Sequence, residues 1–173
     1  MKKSLGILVA VVLGMAFSNV AGSGAAIAGS TGPLGYKLMC LKHPEECKGG
    51  GKSKVIADAA IMATLKRVNA SVNRSIRPRN DGAADVWTVG ASAGDCEDYV
   101  LTKRRQLIRA GLPASSLRIA HVKTRRGQDH AVLVVRTSKG DLVLDNLTSA
   151  IKPMSQTGHR VISMQSANPR KWS

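Results

Sequence analysis

Aromatic side chains are scarce in this sequence: one Phe, two Tyr and two Trp among 173 residues. A protein that holds single-stranded nucleic acid by stacking bases on rings needs a better supply. Acids are also few, 11 against 26 Lys and Arg, which gives a formal charge of +15. A balance of that sign favours acidic partners. The bases are scattered along the chain, however, and read as a solvated, steering surface and not as a specific nucleic-acid site. A long apolar run is missing too. The longest, Leu5–Phe17, falls short of the ~20 residues a membrane-spanning helix needs.

That run follows Lys2 and Lys3 and leads into small residues, with Ala26-Ile27-Ala28 fitting an A-x-A cleavage site. This is the anatomy of a secretory signal peptide, so residues 1–28 are set apart from the fold. The alternative, an uncleaved anchor, is disfavoured by the short run. Without Lys2 and Lys3, 24 bases face 11 acids, about +13 by the same formal count. The expected location is periplasmic or secreted.

Cysteine is limited to three residues, all beyond residue 28, in a compartment that permits disulfides. Cys40 and Cys47 bound a short loop, CLKHPEEC, and are expected to pair. A metal site at Cys40, His43 and Cys47 is disfavoured, because the spacing matches no common zinc pattern and a fourth ligand is lacking. Cys96 is then left over, and an unpaired thiol in an exported protein calls for a reason.

Residues 29–52, rich in Gly, Lys and Ser, read as a flexible N-terminal extension carrying the disulfide loop. A single domain is expected over 53–173. Within it Ile61, Leu65, Val68, Val72 and Ile76 recur at steps of three and four and mark one face of a helix ended by Pro78. Asn80-Asp81-Gly82 signals a turn. A second helix lies between Asp95 and Gly111. Three strand-like segments follow, at 117–122, 130–137 and 141–145, the last two joined by a turn at Ser138-Lys139-Gly140. Residues 149–173 carry little pattern. Helix, helix and then antiparallel sheet is an α+β arrangement.

Three of the few acids crowd around the leftover thiol, in GDCEDY (94–99). Asp95 suits an N-cap, which places Cys96 in the first turn of the second helix. The helix dipole and free N–H groups there favour thiolate over thiol. A nucleophile also needs a base and a group to orient it. Of four histidines, His43 sits in the disulfide loop, His159 in the tail, and His121 reads as a buried strand residue. His130 opens a strand on the face of Val132 and Val134, and Asp145 closes the next. A hairpin brings those two ends together, although a two-residue turn at Lys139-Gly140 would set Asp145 opposite Val134, an offset for a bulge to absorb. Each residue alone has an ordinary reading: a small core filler, a satisfied histidine, a turn acid. Their conjunction points to chemistry.

The motifs GDCEDY, DHAVL and VLDN, with the segment VNASVNRSIRPRNDGAADVW upstream, closely resemble the bacterial transglutaminase-like cysteine proteinases. That resemblance implies a papain-like, transglutaminase-like core and a Cys-His-Asp triad at Cys96, His130 and Asp145. It implies an endopeptidase whose protein substrate is a large surface adhesin, as in the LapG-like periplasmic branch. It also implies an inner-membrane regulatory receptor as a partner, and calcium held by Asp95 and Glu97, since hard cations take oxygen ligands. The same thioester chemistry could serve protein crosslinking, and a non-catalytic shell or a basic polyanion-binding protein are the remaining alternatives. The tail fits the family only loosely, at Pro169 and Trp172.

Overall fold

The computed structural model describes residues 32–173; the expected signal peptide lies outside the described residues. The first element is helix α1, Leu34–Lys42, followed by a 3-10 turn, Pro44–Cys47. Helix α2 spans Ala59–Ser75, opened by Asp58, whose carboxylate accepts from the Ile61 N–H at 2.8 Å. Leu65, Val68 and Val72 on its apolar stripe are buried, as is Ile76 just past its end. Two short strands, β1 (Arg77–Pro78) and β2 (Ala93–Gly94), pair in parallel and deliver the chain into helix α3, Cys96–Arg109.

The main sheet comprises β3 (Leu117–Lys123), β4 (Asp129–Thr137), β5 (Gly140–Leu144), β6 (Lys152–Pro153) and β7 (Arg160–Met164). Its order is β6-β5-β4-β3-β7, antiparallel throughout. Alternation along β4 divides the interior. Ala131, Leu133 and Val135 join the core beneath α2 and α3, whereas Val132 and Val134 belong to a smaller cluster with Val122 and Val143.

Within the segment expected over 29–52 to be a flexible extension, residues 34–47 are instead folded against the domain. Tyr36, Met39, Cys40 and Cys47 belong to the main core, and the Cys40–Cys47 disulfide is present. The fastening comes from outside the segment. Buried Arg104 on α3 donates to the Glu46 carbonyl at 2.6 Å and to the Lys48 carbonyl at 3.1 Å. Tyr36 packs edge-on against Trp87 and Trp172, at 5.4 and 5.5 Å between ring centres. Three of the five aromatics in the sequence meet at this junction. The tail is ordered for the same reason: β7 pairs with β3, and Trp172 is 1% exposed.

Candidate active site

GDCEDY acquires its shape from β2 and the first turn of α3. Asp95 occupies the N-cap position, yet its side chain makes no capping bond. The acid three residues on does that work: the Asp98 carboxylate takes the Asp95 N–H, the reciprocal half of a capping box, and also the Thr88 N–H at 2.7 Å. Any side chain at Gly94 would collide with that carboxylate. Tyr99 then anchors α3 to the end of α2, donating to the Ile76 carbonyl at 2.6 Å.

Asp95 is released from capping and meets other acids. Its carboxyl faces the acids of Glu97 and of Asp81, the latter carried in by the turn after β1. Burial, reinforced by these two neighbours, raises the Asp95 pKa to about 8. The Cys96 S–H donates to Glu97 Oε2 at 3.0 Å. Burial first, and then the charge and hydrogen bond of Glu97, raise the thiol well above the usual cysteine range; the Ala131 N–H, directed at the sulfur, opposes them. The expected dipole-activated thiolate is therefore not the state described. At a buried helix start flanked by acids, desolvation and then the local carboxylates outweigh the macrodipole, which is worth only about 0.3–1 kcal/mol.

His130 and Asp145 do come together, with Nε2 to Oδ1 at 2.8 Å and both residues buried. Register explains this. The hairpin turns at Ser138-Lys139, with Thr137 opposite Gly140 and Leu133 opposite Leu144. One further step sets Asp145 level with Val132, nearer His130 than a turn at Lys139-Gly140 would place it, so a diagonal contact replaces the expected bulge. Burial would raise the Asp145 pKa, but donation from His130, the Leu147 N–H and His159 wins and holds it far below the carboxylate range. Because a carboxylate only accepts, Nε2 of His130 carries its proton and Nδ1 is left as a base. Among the described residues Cys96 makes no hydrogen bond to His130. The sulfur reaches β4 one residue further on, at the Ala131 N–H.

Sequence reasoning passed over His159, Lys103 and Asp81. His159 Nε2 meets the second oxygen of Asp145 at 2.9 Å. Lys103 is fully buried with no partner for Nζ, which lies 5.9 Å from the Tyr99 ring centre. Burial lowers its pKa to about 7, against the pull of Asp145. None of the three stands at a spacing that betrays its neighbours; only the small number of histidines offered a hint. His121, expected to be buried, is half-buried and meets Asp129 at 2.9 Å.

With this geometry in view, comparison with known proteins is informative. None of the curated proteins matches the chain. Among solved structures, calcium-bound Legionella pneumophila LapG is 26% identical, with a TM-score of 0.57, over 62% of this chain and 66% of that one. Another structure of Legionella pneumophila LapG matches with a TM-score of 0.55 at 26% identity, over 62% of this chain and 64% of that one. The matched region thus spans just under two thirds of the LapG chains. The helices and antiparallel sheet form a transglutaminase-like α+β fold. Residues 27–173 match the family described as bacterial transglutaminase-like cysteine proteinase, BTLCP. The thiol at the head of α3 and the His-Asp pair on the hairpin both fall within those residues, and the chain belongs to the bacterial transglutaminase-like cysteine proteinases.

Proposed function

We propose that the protein is an exported cysteine endopeptidase in which Cys96 is the nucleophile, His130 the base and Asp145 the orienting acid. The observation that carries this reading is the buried His130–Asp145 bond beside the strand position whose N–H meets the Cys96 sulfur. His130 Nδ1 takes the S–H proton, and the thiolate attacks a peptide carbonyl. The Cys96 N–H, at the start of α3, offers a donor to the oxyanion. His130 returns the proton to the departing amine as the C–N bond breaks, leaving a thioester. Water, deprotonated by His130, then releases the acid and restores the thiol. An amine in place of water would give crosslinking. The substrate is a protein of the periplasm or cell surface, adhesin-like in the LapG manner, and a membrane receptor is the corresponding regulator.

Asp95 and Glu97, whose ligand atoms lie within 4.8 Å of one another, would hold calcium, with Asp81 adding negative charge nearby. The fit is chemical: burial and the neighbouring acids keep a proton on Asp95 to about pH 8, and a hard dication suits clustered carboxylate oxygens. Bound there, it would supply positive charge beside the sulfur and occupy oxygens that otherwise accept the S–H. Glu97, freed from the thiol, would leave Cys96 available to His130.

Cells expressing the wild type should shed truncated surface protein into the medium, and cells expressing Cys96→Ala should shed none while accumulating the folded variant to the same level. Equal shedding by both would refute the assignment.

A further inference from the structure

Asp145 has two carboxylate oxygens, and an imidazole bonds each of them. Oδ1 accepts from His130 Nε2 at 2.8 Å and from the Leu147 N–H at 3.0 Å; Oδ2 accepts from His159 Nε2 at 2.9 Å. We infer that His159 is a positioning residue for the reaction proposed above: it clamps the outer oxygen of Asp145 and thereby fixes the plane in which the carboxylate holds His130. This inference rests on that reading of the site.

The clamp answers a physical need. Rotation about the last bond of an aspartate side chain is broad and roughly two-fold, so a carboxylate tied at one oxygen can swing and take its histidine with it. The cost to chemistry is steep, since misplacing a reacting group by about 1 Å can lose about 100-fold. A donor on Oδ2 removes that freedom. It also satisfies a buried oxygen that would otherwise have no partner.

His159 is itself held in place. Its N–H donates to Thr157 Oγ1 at 3.1 Å, and the next residue, Arg160, opens β7 by pairing with Lys123 on β3. Its side chain is 9% exposed. Because Asp145 accepts only, His159 must present Nε2–H to it. The remaining ring nitrogen, Nδ1, is buried without a partner, so Asp145 is the polar contact its ring serves. The two imidazoles stand edge to face, 5.7 Å between centres, and each Nε2 is committed to the carboxylate.

The test compares His159→Gln, which returns an N–H donor at similar reach, with His159→Phe and His159→Met, which keep bulk without a donor. The readout is the rate of Cys96 alkylation by iodoacetamide in the full protein with calcium present, followed by mass spectrometry. Both donorless variants are expected to react about tenfold or more slower than the wild type, and His159→Gln to recover to within about threefold. A donorless variant reacting at the wild-type rate overturns the inference. So does His159→Gln reacting as slowly as the donorless pair, which would reduce His159 to packing. Having both Phe and Met guards against one of them failing to fold. Shedding of surface protein, lost or kept in Cys96→Ala, judges the protease reading separately, and the alkylation ratio is meaningful either way.

Discussion

Burial together with the acids of Glu97 and Asp81 holds the Asp95 carboxyl protonated to about pH 8, from an unperturbed value of 3.8. A folded-state value above the unfolded one means that the folded protein binds the extra proton between those limits. Stability without calcium should therefore fall as pH rises from about 4 to about 8. Asp95→Asn should flatten that slope in melts run with a chelator; a slope unaltered by the substitution would contradict the crowded-acid account. Calcium should raise the melting temperature of the wild type most strongly near pH 8, where the carboxyl would otherwise ionise against its neighbours. In Glu97→Ala the calcium shift should largely vanish. The acids around Cys96 were plain in the sequence because they are contiguous, whereas Asp81 was not, because only the β1–β2 pairing carries it to them.

At the scale of an element, α3 does two tasks. Its first turn presents Cys96, and its second and third turns bury Lys103 and Arg104. Arg104 repays its burial with backbone carbonyls, whereas Lys103 has no hydrogen-bonding partner. Burial lowers Lys103 to about 7. Between that pH and the unfolded value near 10.4, the unfolded chain holds a proton the folded one lacks, so this group's contribution makes stability rise with pH across that window. Lys103→Met should remove that rise and stabilise the protein at neutral pH by about 1–3 kcal/mol, as replacing buried charge with apolar bulk often does. Urea unfolding at pH 7 and pH 9.5 measures both effects; a variant less stable at pH 7 would show that the ammonium is structurally required opposite Asp145. Helical periodicity located α2 well from its stripe of Leu65, Val68 and Val72. It could not disclose that two basic residues of α3 turn inward, because charge is ordinarily read as the solvated face.

Over the whole molecule, the chain ends where it is described to begin: Trp172 packs on Tyr36 of α1, and β7 closes the sheet edge beside β3. Trp172→Ala should cost about 3–5 kcal/mol and loosen α1 along with the tail. Hydrogen exchange should show protection lost in residues 34–47 as well as in 160–173; a loss confined to the tail would mean that α1 is held by Arg104 and Trp87 alone. No helix among the described residues is long and apolar enough to cross a membrane.

The sequence by itself determined the local matters: the apolar stripe of α2, the three central strands, the Cys40–Cys47 pairing, and the motifs that mark the family. Each is written in residues close along the chain, where spacing and side-chain type suffice. The tertiary structure alone decided that residues 34–47 join the core, that the turn at Ser138-Lys139 brings Asp145 beside His130, and that His159, Asp81 and Lys103 surround the site. Those contacts join segments far apart in sequence, and their energy resides in register, burial and hydrogen bonds that exist only once the sheet and helices have packed.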